Sequence, residues 1–185
     1  MAGRFAYVIN SGGNTVSSFA LASGSQSPFG SNPTTATGSQ PYGVTADPLG
    51  KFVFVANKGV NTVSSYKINS TTGELMSAGA AVATGGTTPT GIEVEPSGQY
   101  VHVVNSGDDK LSTFVINSST GALTQVGMPT ASGHSPLRIS VEPFGHFAYV
   151  THVGDDTVAA FVIDNATGIL SPRGVPVRAG AGLTR

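Results

Sequence analysis

The 185-residue chain has no cysteine, and its charge is sparse. Without cysteine there is no disulfide and no thiolate metal site, which leaves the cellular compartment open. Nine Lys and Arg against ten Asp and Glu leave a formal net charge of −1. The basic residues form no stripe, so nucleic acid is a poor partner. No polybasic segment or amphipathic helix is written for a membrane surface, and no apolar run approaches the ~20 residues of a membrane-spanning helix. The opening text MAGRFAYV has no signal peptide, because a single Arg is followed directly by strand-like sequence. A cytoplasmic protein and an exported one whose leader is not part of this sequence both fit.

What is present is a hairpin written four times. FAYVINSGGNTVSSFAL returns as FVFVANKGVNTVSSYKI, YVHVVNSGDDKLSTFVI and FAYVTHVGDDTVAAFVI. The aromatics that open these copies, Phe5, Phe52, Tyr100 and Phe147, are 47, 48 and 47 residues apart. A fixed period in this range marks a β-propeller or a helical array. The apolar runs are short, rich in β-branched residues and lack a 3.6-residue stripe, which excludes the helical array. The reading is an all-β β-propeller of about four blades, one partial propeller domain over residues 1–185, with repeats 4–50, 51–98, 99–145 and 146–185.

Each unit divides into strands a to d. PYGVTADP, PTGIEVEP and PLRISVEP are strand a, each closed by a Pro-x-Gly turn whose residue types set the backbone angles. Strand b is the FVFVAN run and strand c the NTVSSYKI run. Between c and d lie NSTTG, NSSTG and DNATG, where Asn or Asp bonds its own backbone and glycine takes positive φ. Strand d is irregular, as an exposed outer edge would be. The first unit has no strand a, so three complete blades plus one of three strands predict 15 strands.

Strand b is apolar on both faces, the pattern of a sheet buried on both sides. Strand c carries one ring per unit (Phe19, Tyr66, Phe114, Phe161) two residues after a small one (Ser17, Ser64, Ser112, Ala159). Large beside small suits blades that interdigitate. An open arc of such blades leaves two apolar flanks, which calls for company. Continuation into a longer propeller, a four-bladed closure, and a homodimer closing a ring of about eight blades all meet that need; self-association is the expectation taken.

YVIN (Tyr7–Asn10), FVAN (Phe54–Asn57) and YVTH (Tyr149–His152), with NTVSSF/Y, TTGEL or STGAL and P-x-G-x-x-x-x-P-x-G, resemble the β-propeller lactonase family, 6-phosphogluconolactonase-like proteins with YVTN-type repeats. The resemblance covers nearly the whole chain. It implies a ring of seven blades and, in the enzymes, His, Arg and Glu side chains at the mouth of the central channel. Family strand-a openings often read Pro-Arg-His or Pro-His-x-His. Here they read PYG, PTG and PLR, and no His follows Pro in any unit.

Departures from the repeat mark the candidate site, because scaffold needs alone would repeat. His152 stands where other units have Asn10, Asn57 and Asn105. It could bond turn backbone as Asn does, or act as a general base. Arg138 stands where other units have Gly43 and Gly91. It could fork onto a substrate carboxylate or phosphate, or pair with Glu93. Glu93, mid-strand on a, must be paired or face channel water, and pairing is expected. His134 and the Asp155–Asp156 pair belong to loops on the same face as His152 and complete a possible ligand-binding set. Asp108–Asp109 and Asp155–Asp156 fit hairpin-turn chemistry and no metal-ligand spacing. His102 reads as a satisfied core histidine. No cofactor is expected. Two functions follow: a non-catalytic binding or assembly unit, or a lactone hydrolase in which His152 activates water and Arg138 holds an anionic substrate or oxyanion.

Overall fold

The computed structural model describes residues 4–22, 25–28 and 34–180. It contains four antiparallel sheets and, among the described residues, no helix. The first sheet holds β1 (Arg4–Asn10), β2 (Thr15–Ala22), β3 (Ser25–Pro28) and β4 (Thr34–Ala36). The second holds β5 (Pro41–Ala46), β6 (Phe52–Asn57), β7 (Thr62–Ile68), β8 (Leu75–Ser77) and β9 (Val82–Ala83). The third runs β10 (Pro89–Val94), β11 (Tyr100–Asn105), β12 (Lys110–Ile116) and β13 (Leu123–Ala131). The fourth runs β14 (Pro136–Val141), β15 (Phe147–His152), β16 (Thr157–Ile163) and β17 (Leu170–Arg178). These are the blades of a partial propeller, meandering a-b-c-d except that the first lacks strand a.

The described residues form 17 strands where the repeat predicts 15. The difference lies wholly in strand d, and one device explains it. Opposite Ser112 and Ala159 the d strands β13 and β17 bulge outward at Gly127 and Gly174, both at positive φ. A bulge adds residues to one strand while pairing resumes beyond it. In the second blade the same excursion passes through Ser77–Gly79, where the Ser77 hydroxyl bonds the Gly79 carbonyl, and is wide enough to part β8 from β9. In the first blade β3 and β4 pair with separate lengths of β2.

Packing between blades follows the two-residue period of strand b. Phe52, Phe54 and Ala56 point forward and meet Val101, Val103 and Phe114, which point back from the third blade. Val104 and Leu111 point forward from the third blade onto Ala148, Val150 and Phe161. Val53, Val55 and Tyr66 meet Val16, Phe5, Tyr7 and Ile9 of the first blade. Both sides of β6 and β11 are buried along their whole length. The strand-c rings Tyr66, Phe114 and Phe161 are core residues, as their alternation with small neighbours predicts.

Polar clamps repeat with the blades. Asn14, Asn61 and Asp109 end the b–c turns at positive φ. Their side-chain oxygens accept the backbone N–H of Gln40, Thr88 and Ser135, the residues just before the proline of the next strand a. The hydroxyls of Tyr7 and Tyr100 donate to the carbonyls of Gly73 and Ala166 in the next blade's c–d turn. Each apolar joint is thereby locked in register by directional bonds.

Candidate functional site

The d–a and b–c loops lie on one face, and the strand-a openings bring Tyr42, Thr90 and Arg138 to its centre. Arg138 follows the register shift that each strand a makes after its proline, at the position of Gly43 and Gly91. Its Nη1 donates to the Thr90 carbonyl of the neighbouring blade at 3.0 Å. Its guanidinium lies 5.3 Å from the Tyr42 ring centroid two blades away, and Lys58 Nζ lies 5.0 Å from the same centroid. The ring face attracts both cations. Arg138 therefore spans the inner edges of three blades.

Glu93 is not its partner. The carboxylate sits half-buried on β10 with no hydrogen bond or ion pair among the described residues, and burial pushes its pKa up. The pairing that the sequence suggests is not formed: Arg138 bonds a carbonyl and lies over an aromatic face instead. Lys110 and Asp108 form an ion pair on the loop face.

His152 is fully buried at the end of β15. Its Nε2 accepts the Gly133 N–H at 2.9 Å and lies 2.7 Å from the Ser132 hydroxyl. Because a backbone N–H can only donate, Nε2 is the unprotonated nitrogen, the serine also donates to it, and Nδ1 carries the hydrogen. That Nδ1 has no partner. Burial lowers the His152 pKa, partly countered by the charges of Asp155 and Asp109.

The same position in the second blade explains this arrangement. Asn57 Oδ1 accepts the Gly38 N–H, as His152 Nε2 accepts that of Gly133, while Asn57 Nδ2 donates to Thr62 and Ser64. Asn10 and Asn105 likewise donate to Ser17 and Ser112. In the fourth blade the residue seven positions on is Ala159. The serine is absent where the amide that would donate to it is absent. The Asn…Ser and His…Ala pairings were visible in the sequence, in registers already aligned.

The remaining candidates serve the loops. Exposed Asp155 accepts the His134 N–H at 2.9 Å, and His134 itself is exposed. Asp156 is half-buried at positive φ, and its carbonyl accepts the Ala179 N–H. On the opposite face the strand-end acids close a–b turns. Asp47 accepts the N–H of Lys51 and Phe52, Glu142 accepts those of Phe144 and His146, and Glu95 bonds the Ser97 hydroxyl. Those backbone donors hold the Glu142 carboxyl below its ordinary range. Among the described residues no cluster of three or more His, Asp or Glu could hold a metal ion.

The structure thus brings Arg138 to the strand-a openings, sets Glu93 across from His102 on the third sheet, puts His152, His134 and Asp155 into loop clamps, and adds Tyr42 and Lys58. Sequence reasoning missed the last two. Tyr42 stands where the other units have Thr90 and Leu137, and Lys58 where they have Ser11, Ser106 and Val153, so both were departures from the repeat.

Comparisons agree with this architecture. The chain superposes on the periplasmic gluconolactonase of Pseudomonas aeruginosa with a TM-score of 0.80 at 19% identity, covering 96% of this chain and 52% of that one. A Lactobacillus plantarum protein matches at 0.79 and 22%, covering 93% and 52%. A Bacteroides uniformis protein provisionally assigned as a 6-phosphogluconolactonase matches at 0.84 and 17%, covering 95% and 52%. The chain spans about half the length of these structures, and identities this low establish the fold alone. No curated protein sequence is similar enough to match. The family model described as "Lactonase, 7-bladed beta-propeller" matches residues 1–89 and again 76–184, and the chain belongs to that family.

Proposed function

We propose that the chain is a non-catalytic binding and assembly unit on a lactonase-type propeller arc. The observation that carries this reading is His152. A general base needs a free lone pair within reach of water. The His152 lone pair is engaged by the Gly133 N–H, in a ring with no exposed surface. The residue does for its loop what Asn57 does in the second blade.

Assembly is supported by the forward face of the fourth blade. Phe147, Tyr149 and Thr151 occupy the positions of the buried Phe52, Phe54 and Ala56, yet Tyr149 is 45% exposed. The occupant we assign is the backward face of the first blade of a second copy, closing a ring of about eight blades. A lactone hydrolase is the second reading, favoured by the exposed residue Arg138 at the strand-a openings. A small sugar lactone would be its ligand.

Two measurements test this. Light scattering at micromolar concentration is expected to return twice the 18.6 kDa chain mass; a clean monomer removes the self-assembly. Hydrolysis of δ-gluconolactone and its 6-phosphate is expected to match the uncatalysed rate. Turnover that disappears in Arg138→Ala and His152→Asn would replace the binding reading with the enzyme.

A further inference from the structure

The chain has four histidines, at positions 102, 134, 146 and 152. Two of them, His102 and His152, are fully buried, and both lie in the joint between the third and fourth blades. His102 shares the forward side of β11 with Val104, which packs on Ile139, Ala148 and Val150. Its cross-strand neighbour Thr113 donates to the Gly168 carbonyl of the fourth blade. His152 shares the backward side of β15 with Ala148 and Val150. The other two joints contain no histidine.

We infer that this joint is an acid-sensitive hinge: closed at neutral pH, it opens before the other joints as pH falls and frees the fourth blade. The inference is independent of the assembly reading.

Each ring is placed to tolerate only its neutral form. His102 Nδ1 lies 3.2 Å from Thr113 Oγ1. The threonine's proton is engaged with Gly168, so Nδ1 donates and Nε2 is bare. That Nε2 is buried without a partner. A second proton would add an unpaired N–H and a full charge to an apolar joint. In His152 the second proton would arrive at Nε2, donor against the Gly133 donor, and the loop clamp would break. Burial pushes the His102 pKa down to about 4 and lowers that of His152.

No carboxylate is bonded to His102 among the described residues. Facing it are Glu93 across β10, half-buried with a raised pKa, and Thr113 across β12, with Tyr100 beside it on β11. Asp164 in the adjoining c–d turn is engaged with the N–H groups of Ala166 and Thr167. Around His152 stand Asp109 from the third blade, Asp155 in its own turn, Thr157 across β16, and exposed His134 and Arg138. The two aspartates soften its response, so His102 is the stronger trigger.

The sign follows from linkage. In the opened state His102 regains a value near 6.5, so the closed state binds fewer protons. The closed joint is at full strength above pH 6.5 and weakens as pH falls from 6.5 towards 4. At pH 5, His102 alone multiplies the open-to-closed ratio by about 30 relative to pH 7.5. Glu93 acts in the opposite direction, because a carboxyl with a raised pKa favours the closed state as it takes up its proton.

Native-state hydrogen exchange on the intact chain at pH 7.5 and 5.0, corrected for intrinsic exchange rates, tests the hinge. Protection in β14 to β17 is expected to fall some tens-fold more than in β5 to β7. The triple variant His102→Phe, His152→Asn, Ala159→Ser writes the second blade's residues (Phe54, Asn57, Ser64) into this joint and is expected to abolish that difference. Equal loss in both sheets of the wild type overturns the inference, as does a triple variant that keeps the difference. Should the triple variant not fold, His102→Phe alone is expected to remove most of the effect, and an unchanged difference there is equally fatal.

Discussion

Strands β11 and β15, YVHVVN and FAYVTH, hold the same place in successive blades, yet their environments differ. Every residue of β11 is buried, whereas β15 alternates buried residues facing the third blade with half-buried and exposed ones on its other side. The difference is one neighbouring sheet. A propeller strand is apolar on both faces because both faces expect a blade, so the fourth blade displays what the interior blades conceal.

The sharpest test of this contrast is truncation at equivalent positions. Phe54→Ala, in the fully buried joint of the second and third blades, is expected to cost about 3–5 kcal/mol in urea denaturation. Tyr149→Ala at the same repeat position is expected to cost less than about 1 kcal/mol in the isolated monomer. A large loss at Tyr149 under those conditions would mean that the face is already covered.

Glycines extend the contrast at smaller scale. Gly121 has φ +78°, and a Cβ there would lie 2.5 Å from the Phe52 ring of the preceding blade. Gly174 has φ +68° and open space around it. Gly121→Ala should destabilise by about 2–3 kcal/mol, from backbone strain and the clash together, and Gly174→Ala by about 1 kcal/mol from strain alone. Equal melting temperatures for the two variants would show that the joint can shift to admit a methyl group.

The polar clamps carry the contrast down to single hydrogen bonds. Asp109→Ala leaves the Ser135 N–H without its acceptor between the third and fourth blades, an expected loss of about 1–2 kcal/mol. Asn61→Ala tests the equivalent bond to Thr88 between the second and third blades. If neither variant lowers stability, register is held by the apolar joints alone.

The repeat made the blades, their turns and the core rings legible, because strand period and turn chemistry are local properties. The candidate site was legible only as a set of departures. His152 differed from Asn10, Asn57 and Asn105, but its role appeared once Gly133 was placed against its ring. Arg138 could pair with Glu93 by sequence, and the structure gives it Thr90 and Tyr42 instead, groups 48 and 96 residues away that only the stacking of blades brings to it. Lys58 joined it from a turn position that the other units fill with Ser11, Ser106 and Val153.

Sequence alone determined the sheet units and their sandwiched character, since short runs apolar on both faces and a repeat of 47 to 48 residues depend on neighbours along the chain. Tertiary structure alone decided which nitrogen of His152 is occupied, which ring carries two cations and which joint holds both buried histidines. Those outcomes depend on groups tens of residues apart meeting across blades, and distance in space is not written in any one stretch of the chain.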